Sequence, residues 1–324
     1  MKKLNDNFIK LVALLNDGQY HDGDSLGTAL NMTRSAVWKA IKKLQAYGIE
    51  VSSIKGKGYA LPVACELLDL KEIKKKIKPE KIDITLFESI PSTNDYLKSF
   101  KNNKQIKICL AEEQTQGKGR LNREWVSPFG KNIYFSCLYP FQKDVSELAG
   151  LSLVTGIAII KALKNIGMTR AVCVKWPNDI MYENKKLAGV LIEIQAESHG
   201  VSQAVIGIGM NINMLNMSTP TITQAWTSVA KILGKSLNRN EVCAVLMTHL
   251  LHELKRFDHE GFSVYVDEWM QVDCLANRYI TLKNNNEKMT GTMVGINEQG
   301  HLLLRMENGV VRAFSSGDTS IVKA

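Results

Sequence analysis

The chain lacks most of the features that would assign it to a familiar class at once. No two cysteines form a C-x-x-C pair, and no uninterrupted apolar run reaches the roughly 18 residues of a membrane span. The start, Met-Lys-Lys-Leu-Asn-Asp-Asn, has no apolar centre of a secretory leader. Cys65, Cys109, Cys137, Cys173, Cys243 and Cys274 are widely scattered, mostly among apolar neighbours. They read as free buried thiols in a reducing, cytoplasmic setting. There is no Walker A loop, no Rossmann fingerprint, no Ser-His-Asp elbow, no internal repeat and no low-complexity segment. His21, His199, His249, His252, His259 and His301 form no metal-ligand spacing. His249 and His252 lie three apart on a helix, with no acidic or cysteine partner expected beside them. P-loop, dinucleotide-binding, serine-hydrolase and structural-zinc chemistry are thereby excluded.

What is present fits a multidomain globular protein. Two or three domains are expected from 324 residues, 45% of them hydrophobic. The net charge of +9 favours a polyanionic partner such as nucleic acid. Residues 1–65 carry nine Lys/Arg against five Asp/Glu, so basicity is densest at the N-terminus.

Hydrophobic spacing there predicts a short helix through Phe8, Leu11, Val12, Leu14 and Leu15, ending near Gly18, and a second over residues 25–30. After a turn at Asn31-Met32, Thr33 caps a third helix that runs to about Tyr47 and stops at Gly48. Val37, Ala40, Ile41 and Leu44 form its apolar stripe. Its opposite face carries Arg34, Ser35, Trp38, Lys39, Lys42 and Lys43. Two strands around Lys55-Gly56-Lys57-Gly58 complete a winged helix-turn-helix pattern.

Pro62 closes that unit. Asp69 and Glu72 open a Lys-rich helix to about Ile77, which Pro79 ends. Strands are predicted over 82–87, 106–112, 132–139, 171–176, 187–195 and 203–212. Helices are predicted over 145–166, 223–233, 239–257 and 262–269. The mixture lacks strict βαβ alternation and indicates an α+β domain with a mixed sheet. From Cys274 onward, four short strands separated by Asn284-Asn285-Asn286, Glu298-Gln299-Gly300 and Glu307-Asn308-Gly309 predict a small β-barrel. The expected domains are therefore 1–64, 65–273 and 274–324.

Five constellations carry possible chemistry. Residues 114–125 contain Gly117-Lys118-Gly119-Arg120, then Arg123 and Trp125. Glycines admit close backbone approach, three cations suit phosphate, and an indole suits a base. A solvated basic turn would have the same composition. Ser92-Thr93-Asn94 provides either helix capping or neutral hydrogen-bonding groups for a urea or amide. Lys175-Trp176-Pro177-Asn178-Asp179 ends a strand in polar groups, and Asp179 either holds Mg²⁺ near phosphates or joins a local salt bridge. Lys186, in Lys186-Leu187-Ala188-Gly189, sits where a lysine could neutralise a carboxylate or a phosphate, while Lys185 reads as a solvated turn residue. Gly207 and Gly209 suit close packing beneath a ligand.

Taken together, Ser92-Thr93-Asn94, Gln114, the glycine loop with Arg123 and Trp125, Lys175 to Asp179, and Lys186 to Gly189 resemble the bacterial biotin–protein ligases. The winged helix resembles that of the bifunctional members, which also repress biotin genes. The resemblance runs along essentially the whole chain, and implies a catalytic biotin/lipoate-ligase-like domain and a C-terminal SH3-like barrel. The lipoate ligases share the fold, but their Arg-Arg-x-Ser-Gly-Gly signature is absent. The family pattern reads Gly-Arg-Gly-Arg and then Arg-Gly-Arg. Here Lys118 replaces the first arginine, which removes a bidentate fork, and Leu121-Asn122 fill the next two positions.

The resemblance implies biotin and ATP as substrates, Mg²⁺ as cofactor, and biotinyl-5′-AMP as both intermediate and corepressor. It implies catalytic roles for Lys186, Arg120 and Asp179, with Asp179 as the Mg²⁺ ligand. Biotin contacts fall to Ser92, Thr93, Asn94, Gln114, Lys118, Gly119, Arg120 and Lys186. Adenylate contacts fall to Gly117, Lys118, Arg120, Arg123, Trp125, Asn178 and Asn211. DNA contacts fall to Arg34, Ser35, Trp38, Lys39, Lys42, Lys55 and Lys57. The implied partners are a biotin carboxyl carrier protein, operator DNA and, with adenylate bound, a second copy of the chain. The alternatives are a ligase that has lost repression and a transcription factor that only senses a ligand.

Overall fold

The computed structural model describes residues 2–77, 82–101, 103–168, 171–196, 202–216, 224–284, 287–316 and 319–321. Pro79, His199, Thr223, Asn285 and Asn286, used in the expectations above, lie outside them.

The N-terminal unit contains β1 (Lys2–Lys3), α1 (Asp6–Leu15), α2 (Gly23–Leu30), α3 (Arg34–Ala46), β2 (Ser52–Ile54) and β3 (Gly58–Ala60). Each helix starts at a side-chain cap: Asn5, Asp22 and Thr33 accept from backbone N–H groups of the first turn. Asn31, at φ 52°, makes the left-handed turn between α2 and α3. Phe8, Leu11, Val12 and Leu15 pack with Leu26, Leu30, Val37, Ile41 and Leu44. The wing is tied down by paired hydrogen bonds between His21 and Tyr59, both 2.9 Å.

The central domain contains α4 (Leu70–Lys76), β4 (Asp83–Ser89), α5 (Thr93–Lys98), β5 (Lys107–Ala111), β6 (Ile133–Phe141), α6 (Leu151–Asn165), β7 (Cys173–Lys175), β8 (Asp179–Tyr182), β9 (Lys185–Ala196), β10 (Ser202–Met210), α7 (Val229–Leu233), α8 (Arg239–Glu260) and α9 (Val266–Met270). The sheet order is β1-β4-β5-β6-β10-β9-β8-β7, with β4 and β5 parallel and the other pairs antiparallel. The chain thus begins in the central sheet, leaves to build the winged helix, and returns. β1 and β8 were not expected, being too short for a periodic signal. α6 and α8 cover one face over the main core, while α5 covers the other over a small cluster that includes Phe87, Leu97, Leu138 and Val205.

The C-terminal unit contains β11 (Tyr279–Asn284), β12 (Glu287–Ile296), β13 (Leu302–Arg305), β14 (Val311–Phe314) and β15 (Thr319–Ile321) in the order β14-β13-β12-β11-β15. These strands fit the expected SH3-like unit. Its ladder is open between β14 and β15 among the described residues.

Three expectations need correction. Cys173 and Cys274 are not free thiols but form a disulfide. Val174 N donates to Val272 O at 2.7 Å and Cys274 N to Val174 O at 2.9 Å, which sets the two cysteines side by side. Cysteine usage therefore no longer argues for a reducing compartment; Cys65, Cys109, Cys137 and Cys243 are free and buried. The single helix expected over 145–166 is divided, because Gly150 turns at φ 82° before α6 begins. Val145–Asn165 holds an 18-residue window of mean hydropathy 1.6, apolar enough to cross a membrane by length and composition alone. α6 packs against α8 and the sheet, so its apolar surface is consumed by the core. Finally, His252 does have an acidic neighbour, with Nδ1 3.2 Å from Glu253 Oε1.

Two anchors join the winged helix to the central domain. Glu88, fully buried on β4, pairs with Lys43 of α3 and accepts from the hydroxyl of Tyr47, the residue that ends α3. Burial, then Glu88, holds the Tyr47 phenol well above its usual range. Phe129, from the central domain, lies in the winged-helix core and stacks on Tyr47 at 4.1 Å. Farther in, fully buried Glu112 and Arg239 form an ion pair at 2.7 Å.

Candidate active site

The site lies on the α5 face of the sheet. Glycines on two adjacent strands create its floor, with Gly209 opposite Gly189 and Gly207 opposite Leu191. A Cβ on Gly207 would come within 2.3 Å of Asn94 Oδ1, and one on Gly209 within 2.3 Å of the Trp125 ring. The G-x-G on β10 therefore makes room for these two side chains.

Above Gly207 is a small polar pocket of about 50 Å³. Ser92, Thr93 and Asn94 enter it from the first turn of α5 and are all buried. Ser92 caps that helix by accepting from Asp95 N at 3.3 Å. Gln114 Oε1 accepts from Thr93 N at 2.9 Å, and its Nε2 donates to Ser127 Oγ at 3.2 Å. Asn94 Nδ2 donates to Glu193 Oε2 at 2.8 Å. Ser92 thus caps α5 and also lines the pocket.

The glycine loop folds back as a tight excursion. Trp125 N donates to Gly117 O at 2.9 Å, and Gly119 N to Arg123 O at 2.7 Å. Leu121 and Asn122, at φ 55° and 56°, occupy left-handed positions at its tip. Asn122 stands where the ligase pattern has glycine, and asparagine tolerates this conformation. Lys118 Nζ is paired with Asp95 Oδ2 at 2.6 Å rather than left free for phosphate. Arg120 hydrogen-bonds the Ser316 carbonyl of the C-terminal unit and reaches Asn178 Oδ1 at 3.5 Å. Burial lowers the Arg120 pKa, against the attraction of Asp179. Arg123 is exposed at the loop's outer end.

Beyond the loop lies a larger cavity of about 300 Å³, lined in part by Arg120, Arg123, Trp125, Asp179, Lys186 and Asn211. Lys186 Nζ is 2.6 Å from Asp179 Oδ1 and 5.3 Å from the Trp125 ring centroid. Asn178 Nδ2 donates to Val190 O at 2.7 Å, and Asn211 Nδ2 to Thr227 O at 3.0 Å. Gly119, Arg120, Trp125, Asn178 and Lys186 line both spaces, so the two cavities meet along the loop.

Sequence reasoning missed Ser127, Ser136, Glu193, Trp226 and Ser316. Glu193 had a visible signal, as the one acid within the apolar run 187–194 of β9. Ser136 and Ser316 had none, because they reach the site only through pairing of distant segments. On the winged helix, Arg34, Ser35, Trp38, Lys39 and Lys42 lie exposed along α3, with Lys55 and Lys57 exposed on the wing. Trp38 is 51% exposed.

Residues 86–211 match the Biotin/lipoate A/B protein ligase family, 9–60 an HTH domain, and 276–322 the Biotin protein ligase C terminal domain. The chain is 35% identical over 317 residues to the bifunctional ligase/repressor BirA of Escherichia coli, covering 98% of this chain and 97% of that protein. It is 27% identical to the BirA of Bacillus subtilis, covering 92% of this chain and 93% of that protein. Among solved structures it is similar to a biotin protein ligase from Aquifex aeolicus in complex with biotin and ATP. That match has a TM-score of 0.65 and 28% identity, covering 75% of this chain and 99% of the other.

Proposed function

The chain belongs to the bifunctional biotin ligase/repressor family, and on that basis we propose which of its residues carry each step. It is an ATP-dependent biotin–protein ligase with a DNA-binding repressor domain. The biotin carboxylate attacks the α-phosphorus of ATP, expelling pyrophosphate and giving biotinyl-5′-AMP. The amine of a lysine on a biotin carboxyl carrier protein then attacks the mixed anhydride, and AMP leaves.

The observation that carries the assignment is the meeting of a small polar pocket and a larger cation-lined cavity at Lys186. Ser92, Thr93 and Gln114 hold the biotin ureido ring. Asn94 supports them from behind, its amide already bound to Glu193. Lys186 neutralises charge where carboxylate and α-phosphate approach. Arg120 and Arg123 draw the loop over the adenylate, Trp125 stacks near the adenine, and Asn178 and Asn211 border the nucleotide. Gly117 and Gly119 allow the backbone to approach. Lys118 reaches the adenylate by exchanging Asp95 for a phosphate oxygen. The closed loop excludes water from a hydrolysable anhydride.

Asp179 and Asn178 suit Mg²⁺, which takes one or two carboxylates and completes its shell with phosphates and water. Bound there, the ion would shield phosphate charge. Among the described residues no cluster of three His, Cys, Asp or Glu competes for that role.

Arg34, Ser35, Trp38, Lys39 and Lys42 face the major groove, with Lys55 and Lys57 on phosphates. Bound adenylate favours a homodimer that reads two half-sites. The protein works in the cytoplasm, where ATP, carrier protein and DNA meet. The test is transfer of labelled biotin to a carrier domain, followed by operator binding with and without biotin and ATP. Absence of biotin-dependent pyrophosphate exchange would leave only a ligand-sensing transcription factor. Salt-sensitive DNA binding indifferent to biotin and ATP would leave a ligase without adenylate-controlled repression.

A further inference from the structure

The Cys173–Cys274 disulfide has no task in biotin transfer, yet it sits at the joint of two units that share the larger cavity. Cys173 opens β7, two positions before Lys175, and residues 175–179 line that cavity. Cys274 lies in the segment 271–278, which leads from α9 to β11, the first strand of the C-terminal unit. The C-terminal unit reaches the cavity through Ile321, and its Ser316 carbonyl accepts from Arg120 of the glycine loop. Trp176 Nε1 donates to Gly300 O at 3.1 Å. The disulfide thus fixes the C-terminal unit at its entry, while Trp176 and Arg120 hold it farther along.

Backbone pairing at the entry is brief. β7 has three residues, and Val174 meets the segment through two hydrogen bonds, with Val272 and Cys274. With the S–S bond cut, only non-covalent contacts oppose local opening of the C-terminal unit. The two cysteines are half-buried rather than sealed, so a small thiol can reach them. Cys65, Cys109, Cys137 and Cys243 are buried, and burial raises the pKa of each thiol. They stay protonated and slow to exchange, which confines thiol chemistry to the pair.

We propose that Cys173 and Cys274 form a reversible thiol–disulfide exchange site, with a dithiol reductant as its reactant, that sets how firmly the C-terminal unit closes the nucleotide cavity. One thiolate of the dithiol attacks a sulfur of the pair. The S–S bond breaks, and its electron pair leaves on the other cysteine, which takes a proton. The second thiolate of the reductant then displaces the first cysteine, which is protonated in turn. Two electrons and two protons pass to the protein, and the dithiol becomes a disulfide. Disulfides in reducing compartments are commonly of this transient kind. The inference rests on the ligase reading, because it takes the cavity to hold ATP. The oxidised protein holds ATP and the adenylate closely; the reduced protein opens and releases both more readily.

The test prepares the full chain with dithiothreitol or with glutathione disulfide, removes the reagent without air, and compares the two forms. Reduction makes Cys173 and Cys274 reactive to N-ethylmaleimide in the native protein, as peptide mapping reads. Amide hydrogen exchange quickens in β7 and in 271–278. If the closed fraction falls to about one-fifth, KM for ATP in biotin-dependent pyrophosphate exchange rises about fivefold. Free biotinyl-5′-AMP increases during turnover, and glutathione disulfide reverses every change. Cys173→Ser combined with Cys274→Ser behaves like the reduced protein and ignores dithiothreitol. Equal KM for ATP and equal adenylate release in the two forms would overturn the proposal, as would two free thiols after glutathione disulfide. The two wild-type forms decide the matter alone if the double variant does not fold. Absence of pyrophosphate exchange in both forms would instead remove the ligase reading, with hydrogen exchange still reporting whether the joint responds to reduction.

Discussion

Lys186 Nζ lies 2.6 Å from Asp179 Oδ1, so the cation proposed for the reacting carboxylate already holds a carboxylate of its own. Asp179 opens β8 and Lys186 is the second residue of the neighbouring strand β9, and both side chains are about one-fifth exposed.

Lys186→Ala is expected to lower biotin-dependent pyrophosphate exchange by about 10²–10³, the usual effect of losing one preorganised electrostatic partner. Circular dichroism should remain native. Exchange within about threefold of wild type would reject the assignment.

Arg120→Gly removes the tie from the glycine loop to the Ser316 carbonyl and Asn178. Adenylate should still form but escape, labelling lysines on bystander proteins. The measurement is free biotinyl-5′-AMP in the filtrate during turnover. Release no greater than wild type would reject the lid role.

Phe129→Ala empties a position between Phe8 and Tyr47 in the winged-helix core. A loss of about 3–5 kcal/mol is expected for a buried phenylalanine. The loss should appear in the winged-helix transition of a denaturant titration, with DNA affinity falling before ligase activity. Identical titration curves would show that the ring contributes nothing there.

Asp273 supplies a pH signature. Burial raises its pKa from the ordinary 3.8 to about 6, partly offset by the Leu275 N–H and Arg278. A raised carboxyl pKa means the folded state holds the proton more tightly. Its contribution is therefore fully present below pH 3.8 and lost as pH rises through about 6. Asp273→Asn keeps the acceptor for Leu275 N and should raise Tm above pH 6, with little change near pH 4. Parallel Tm curves for the two proteins across that range would contradict this.

The legibility of the chain follows the range of each signal. Caps at Asn5, Asp22 and Thr33 act within three residues, so the winged helix could be read directly. The strand β1 could not, because two residues carry no period and pair with Lys2 opposite Ser89. The disulfide partners are 101 residues apart and became neighbours only through the Val174–Asp273 bridge.

By itself the sequence determined the domain order, the amphipathic helices and the motif residues, since these depend on local spacing and residue chemistry. The tertiary structure alone decided what those residues touch. It paired Lys118 with Asp95 and Lys186 with Asp179, joined Arg120 to Ser316, and set Ser136 beneath Thr93 and Asn94. The reason is physical: a strand's register fixes which side chains meet across a sheet, and that register is settled by the packing of the whole domain.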